Sequence, residues 1–154
     1  MKKFALSLSC LVLLTTVVFA KNACSDNELK WLKNERYKLV FRLSSGQDVF
    51  LNTAQTKIDK ENKIIEVWTV SLASEDEQFD AIDSYGDSYN NYGFLQKVWL
   101  INYSTQEFQI KEYIDKSCDR QMITMGRIEK WKPLLPDTLP NTLMKRIIKE
   151  YNLQ

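Results

Sequence analysis

The sequence contains no histidine, and this absence excludes several kinds of catalytic and metal site. Histidine is the side chain that most often acts as a general base near neutral pH. Without it, neither a Ser-His nor a Cys-His nucleophile pair can form, and a zinc site that requires imidazole is excluded. Hydrolysis by a pair of carboxylates is the common chemistry that is left, and no such pair stands out. We therefore expect no enzyme activity, no catalytic residues, no metal and no cofactor.

The chain also lacks an excess of charge of either sign. It has 21 Lys and Arg against 20 Asp and Glu, a formal net charge of +1 over 154 residues. A nucleic-acid-binding module is normally clearly basic, so this balance argues against nucleic acid as a partner. At 44% hydrophobic and 12% aromatic residues the chain can bury a core, and its length fits one folded domain.

The first 20 residues have the pattern of a bacterial-type secretory signal peptide. Lys2 and Lys3 form a basic start, residues 4–19 are mostly apolar, and Val18 and Ala20 supply small residues at a cleavage site. An uncleaved membrane anchor is the alternative, but the apolar stretch is short for a span of about 20 residues. We expect cleavage after residue 20 and no integral membrane span in the mature chain.

Cleavage would leave a single domain over residues 21–154 with two of the three cysteines, Cys24 and Cys118, and would change the net charge from +1 to −1 because two lysines are removed. In an oxidising compartment two cysteines most simply form one disulfide, with two free thiols as the alternative. A polar stretch precedes Cys24, where a lipidation signal has an aliphatic residue. We therefore expect an exported protein without a lipid anchor, located in the periplasm, in the medium or on the cell surface.

Short alternating or apolar segments predict an antiparallel meander of five or six strands. These segments cover residues 37–43, 48–52, 63–72, 95–103, 108–114 and 122–131. The run 63–72 is almost continuously apolar, which indicates a central strand covered on both faces. After a proline-containing segment, apolar residues recur at helical spacing and predict one C-terminal helix packed across a face of the sheet: Leu143, Met144, Ile147, Ile148 and Tyr151. The fold class is therefore α+β.

Residues 74–93 interrupt the strand pattern with six carboxylates and four aromatic residues. We interpret residues 75–92 as a long acidic, tyrosine-rich loop. Tyrosine provides a large contact area at low entropic cost, and exposed aromatic residues are enriched at interfaces. The loop is therefore a candidate contact surface for a protein partner, with a solvated mobile loop as the alternative. The candidate contact residues are Phe79, Asp83, Tyr85, Tyr89 and Tyr92.

A calcium site is a further interpretation of this acidic segment. Asp80, Asp83 and Asp87 have the right type of oxygen ligand. Their spacing matches no EF-hand, and the closing glutamate of that motif is missing. We therefore expect no calcium site here.

Three parts of the chain resemble the surface-adhesin protein E family and its exported bacterial relatives. Residues 49–52 with 65–68 resemble the paired early strands of that family, and residues 98–103 with 108–110 resemble its central hairpin. Residues 131–137 resemble its closing segment, in which tryptophan, proline and a capped helix recur; this segment is the most specific of the three. The resemblance covers roughly residues 48 to 151.

The resemblance implies an antiparallel sheet with a C-terminal helix across one face. It further implies a cell-surface adhesin that binds host matrix proteins such as vitronectin and laminin. Family members commonly have a cysteine at the position of Tyr103 and a second one near Glu150 or Tyr151, which together tether the helix to the sheet. Neither cysteine is present here. The helix is therefore expected to dock through its apolar stripe alone, at on the order of 1.5–3 kcal/mol per buried side chain.

Together these features predict an exported, adhesin-like binding module of the bacterial envelope or surface. It would contact a protein partner, with the host extracellular matrix as the candidate, through the segment 75–92 or a sheet edge. The alternative is a non-catalytic periplasmic protein that stabilises a partner.

Overall fold

Six strands form one antiparallel sheet in sequence order in a computed structural model that describes residues 21–153. The strands are β1 (Tyr37–Arg42), β2 (Asp48–Asp59), β3 (Ile64–Leu72), β4 (Tyr92–Asn102), β5 (Glu107–Ser117) and β6 (Met122–Pro133). Two helices, α1 (Glu75–Tyr85) and α2 (Leu139–Tyr151), accompany the sheet. The predicted α+β meander with a C-terminal helix is confirmed. The predicted signal peptide, residues 1–20, lies outside the described residues.

β3 is the central strand that its apolar sequence predicts. It pairs with β2 on one side and with β4 on the other, and its nine-residue register with β4 has no shift. Alternate side chains of a strand lie on opposite faces of the sheet. Ile65 and Val67 belong to the core that α2 covers, and Val70 and Leu72 belong to a second core on the opposite side. A strand that is covered on both faces needs apolar residues at its odd-numbered and at its even-numbered positions.

The helix α2 docks on one face without a disulfide to hold it. Its side chains Leu143, Met144 and Ile147 are buried against Leu51 and other side chains of the sheet. Pro140 lies in the first turn, where the missing backbone donor costs nothing. The predicted apolar stripe is confirmed, except at its end, where the side chain of Tyr151 is exposed.

The N-terminal segment covers part of the opposite face. Leu32, within a short 3₁₀ turn at Lys30–Lys33, and Leu29, directly before it, are buried with Phe94 of β4. The predicted disulfide between Cys24 and Cys118 is present, with the two Cα atoms 5.4 Å apart across a sequence separation of 94 residues. The bond therefore fastens the start of the described chain to the end of β5.

β2 is longer than the sequence predicts. We expected a strand over residues 48–52 followed by an irregular stretch, but β2 continues to Asp59 after a register shift between Asn52 and Lys57. The Asn52 side-chain amide donates to Oε1 of Gln55 across this irregularity (2.7 Å), and its own Oδ1 accepts from the backbone of Ala54. A bulge of this kind breaks the two-residue alternation on which the sequence prediction rests.

None of the helices within residues 21–153 is both long enough and apolar enough to cross a bilayer.

Gly93 packs directly against the disulfide, which leads to a testable prediction. A Cβ at this position would lie 2.7 Å from Sγ of Cys118, 2.9 Å from its backbone nitrogen, and also against Sγ of Cys24. Real contacts of this kind are never so short, so Gly93→Ala must displace the disulfide or β4. We expect a loss of about 1–3 kcal/mol in the free energy of unfolding, measured by urea denaturation.

The matched control is the same substitution in a Cys24→Ala, Cys118→Ala background. Without the two sulfur atoms, Gly93→Ala should cost clearly less. An equal cost in both backgrounds would contradict the assignment of the strain to the disulfide.

Candidate functional site

The acidic segment after β3 is a helix, and the prediction of a loop over residues 75–92 is wrong. The backbone N–H of Glu77 donates to the hydroxyl of Ser74 (3.1 Å), and the N–H of Ser74 donates to the Glu77 carboxylate (3.0 Å). This reciprocal capping box begins α1. Three acidic residues in the first turn also interact favourably with the helix dipole. Gly86, with a φ of 85°, ends the helix, and β4 begins at Tyr92.

None of the side chains of α1 is fully buried. Polar contacts help to hold this helix beside the sheet. The side-chain amide of Gln78 donates to the carbonyl oxygens of Asn90 and Tyr92, at 3.2 and 3.0 Å. In the same first turn, the backbone N–H of Glu75 donates to the carbonyl of Lys21, and the side chains of these two residues form an ion pair of 2.6 Å. The N-terminal turn of the helix is thus fixed, while its outer face stays in solvent.

Two of the five candidate contact residues are packing residues. Tyr89 is only 7% exposed and lies between the rings of Tyr85 and Tyr92, with centroid distances of 5.2 and 5.6 Å. Its hydroxyl donates to Oδ2 of Asp115 (2.9 Å). Burial and this carboxylate raise the pKa of Tyr89 to about 12. Burial likewise raises the pKa of Tyr92. Tyr89 therefore attaches the segment to β5 and is not free to meet a partner, and Tyr92 is half-buried beside it.

The other three candidate contact residues are exposed. The side chain of Phe79 is 63% exposed, that of Tyr85 is 71% exposed, and Asp83 is in solvent as well. Phe79 and Asp83 are four residues apart and share a helix face. Tyr85 lies at the C-terminal end of α1, on the other side of the helix axis from Asp83, because two residues turn a helix by about 200°.

An outer face of α1 therefore carries an exposed aromatic ring among carboxylates. We call the residues Asp76, Phe79, Asp80 and Asp83 the α1 surface; all four are exposed, and the spacing 76, 79/80, 83 places them on one side of the helix. An apolar ring surrounded by negative charge is chemically suited to a partner that offers an apolar pocket with basic residues at its rim.

The edge strand β6 is a second exposed surface, and its apolar residues were not identified from the sequence. The sheet order leaves one side of β6 without a partner strand among the described residues. Four apolar side chains along it are exposed: Met122, Met125, Ile128 and Trp131. The sequence contained a signal for this exposed apolar edge. The last strand of an open meander is an edge strand, and the predicted strand 122–131 has apolar residues at irregular spacing.

Within residues 21–153, no group of three or more cysteine, aspartate or glutamate side chains is arranged to hold a metal ion. Asp80, Asp83 and Asp87, the residues considered for calcium, are exposed. Asp80 and Asp83 belong to α1, and Asp87 follows its C-terminal glycine in a short 3₁₀ turn.

Comparison with known proteins identifies solved structures with a similar fold but no matching sequence family. No family model matches the sequence, and no curated protein matches it. Among solved structures, crystal form II of Haemophilus influenzae protein E superposes with a TM-score of 0.54 at 13% identity, over 77% of this chain and 91% of that one. The Se-Met form of the same protein gives 0.52 at 11% identity, over 75% and 88%. These structures share a fold with this chain.

Proposed function

We propose that this chain is an exported, adhesin-like binding module of the bacterial envelope or surface, and that it contacts a protein partner through the α1 surface. The fold that it shares with Haemophilus influenzae protein E supports the proposal, as does the resemblance of three segments to the surface-adhesin protein E family. The Cys24–Cys118 disulfide supports export, because such bonds persist in oxidising compartments. The proposed role is binding, with no catalytic residue.

The observation that carries the proposal is the exposure of Phe79. A helix beside a sheet normally turns its large apolar side chains toward the core. In α1, Ile82 is half-buried together with Gln78, whereas Phe79 is 63% exposed. The fold gains nothing from an aromatic ring in solvent. Exposed aromatic residues are enriched at interfaces and contribute a large share of binding energy when a partner covers them.

The carboxylates of the α1 surface add a condition on the partner. Asp76, Asp80 and Asp83 lie in solvent, and among the described residues they form no ion pair. A partner with a basic rim would gain from this field and would associate faster at low salt. We propose host extracellular-matrix proteins as the partner class, with vitronectin and laminin as the first candidates to test.

Binding of purified residues 21–154 to immobilised matrix proteins tests the proposal. We expect Phe79→Ala to weaken binding at least tenfold, because loss of a central aromatic contact costs about 2 kcal/mol or more and 1.4 kcal/mol is a factor of ten. The single substitution Asp83→Lys should also weaken binding, and it should reduce the dependence of binding on salt concentration. Circular dichroism checks that each variant is folded.

The matched control is Leu135→Ala, since Leu135 is a similarly exposed apolar residue outside α1. This variant should bind as the unsubstituted protein does. Unchanged binding by Phe79→Ala would remove the α1 surface from the proposal. Failure of the unsubstituted protein to bind any matrix protein would remove the host matrix as the partner.

The exposed apolar side chains of β6 favour a second mode of contact. An unpaired edge can accept a strand from a partner by backbone hydrogen bonds. In that case Met125→Lys, on β6, should weaken binding and Phe79→Ala should not. The same binding experiment therefore distinguishes the two surfaces.

A further inference from the structure

A cavity of about 320 Å³ lies between the two helices on the face of the sheet that α2 covers. Leu95, Lys97 and Trp99 of β4 form its floor. Leu43, after β1, and Leu139, at the start of α2, form apolar walls, and Tyr92 closes the side toward α1. A cavity of this volume is at the small end of the range found for ligand sites, which are concave and mostly apolar with a few polar groups.

One lysine lines this otherwise mainly apolar cavity. The Nζ atom of Lys97 lies 5.6 Å from the centre of the Trp99 ring. Within residues 21–153 it forms no ion pair with a carboxylate. Burial lowers the pKa of Lys97, and Asp115 acts in the opposite direction without reaching ion-pair distance. Lys97 is half-buried, and a partly desolvated ammonium group without a paired anion gains from an anion that replaces its lost hydration.

A second hydrogen-bond donor lines the same cavity. The hydroxyl of Tyr92 has no hydrogen-bond partner among the described residues, and Tyr92 also borders the cavity. A carboxylate accepts hydrogen bonds from an ammonium group and from a phenol, and charge-assisted bonds of this type are strong. A ligand carboxylate is therefore the acceptor that the donors of this cavity favour.

The acidic groups around the cavity limit the charge of the ligand. Glu77 borders the cavity, although its carboxylate is engaged in the capping box of α1. Asp115 is close enough to influence the pKa of both Lys97 and Tyr92. With a single cation against two carboxylates, a doubly charged phosphate is disfavoured relative to a single carboxylate.

We propose that this cavity binds a small free carboxylic acid with an apolar tail. The carboxylate lies against Nζ of Lys97, and the tail packs on Trp99 and against Leu95 and Leu139. Of the residues of α1, Glu77 lines the cavity and Phe79 does not. The proposal is therefore independent of the partner-binding function proposed for the α1 surface, and either can fail alone.

Isothermal titration calorimetry of the disulfide-bonded protein with octanoate tests the proposal, with octanol as the neutral probe of equal chain length. We expect octanoate to bind and octanol to bind at least tenfold more weakly. Lys97→Met keeps the length of the side chain and removes its charge, so it should weaken octanoate binding at least tenfold. Lys60→Met is the matched control, because Lys60 is exposed between β2 and β3 and should have no effect.

A second variant makes the test independent of charge. Leu139→Trp fills the cavity from the start of α2 and should also abolish octanoate binding, and urea denaturation verifies that each variant folds. No binding of octanoate at millimolar concentration would overturn the proposal. Equal binding of octanoate and octanol, or unchanged octanoate binding by Lys97→Met, would overturn it as well.

Discussion

Removal of the Cys24–Cys118 disulfide should lower the free energy of unfolding by about 4–5 kcal/mol. In the chain-entropy model the effect grows with the loop that the bond closes, and here the two cysteines are 94 residues apart. The loop contains β1 to β5, so the bond restricts most of the unfolded chain. Urea denaturation of the Cys24→Ala, Cys118→Ala variant, compared with the oxidised protein, measures this difference.

Chemical reduction provides the control for this prediction. A reductant should destabilise the unsubstituted protein by a similar amount and should leave the double alanine variant unchanged. The bond also holds the N-terminal segment over Phe94, so its removal should increase the exposure of that part of the core to solvent. A loss below about 1 kcal/mol would contradict the view that the bond is a principal constraint on the fold.

Leu143→Ala should destabilise the protein by about 2–5 kcal/mol, the range for truncating a large buried aliphatic residue. The side chain of Leu143 has no exposed surface and packs with Leu51, Ile65 and Ile101 in the core beneath α2. No disulfide tethers this helix to the sheet, so its attachment depends on such contacts. Urea denaturation measures the loss, and the near-ultraviolet circular dichroism of the aromatic residues, which include the buried Trp99, reports whether the core keeps its packing.

Lys145→Ala is the matched control within the same helix. Lys145 is exposed two residues further on, and a surface substitution of this kind normally changes stability by less than about 0.5 kcal/mol. If Leu143→Ala cost no more than this control, α2 would not be docked through its apolar stripe.

The sequence predicts best the elements in which buried residues recur at regular spacing. β3 is covered on both faces of the sheet and therefore has apolar residues on both, such as Val67 on one face and Val70 on the other. The buried residues of α2 recur at helical spacing because one side alone meets the sheet. In both cases the sequence period follows directly from the geometry of the buried surface.

α1 could have been predicted from its first residues but not from its composition. Its acidic and aromatic content suggests a loop, and none of its side chains is fully buried. The spacing of Ser74 and Glu77 is a capping-box signal, and Gly86 marks the end. Local signals therefore define this helix, whereas hydrophobic periodicity does not.

The roles of the aromatic residues after α1 depend on contacts that the local sequence does not contain. Tyr89 and Tyr85 are similar in sequence context, yet Tyr89 is buried and donates its hydroxyl hydrogen bond to Asp115 of β5, 26 residues away. The cavity at Lys97 likewise depends on α2, which begins more than 40 residues later in the chain. Sequence patterns find exposed and buried faces within an element, whereas these sites are made by several elements together.

Site-specific photo-crosslinking tests the proposed contact through the α1 surface most directly. A photoreactive phenylalanine analogue replaces Phe79 in one variant and Leu135, exposed outside α1, in the other. Each variant is irradiated with the matrix protein that binds most tightly. We expect a covalent adduct from position 79 and none from position 135. Binding with no adduct from position 79, or with equal adducts from both positions, would contradict the proposal.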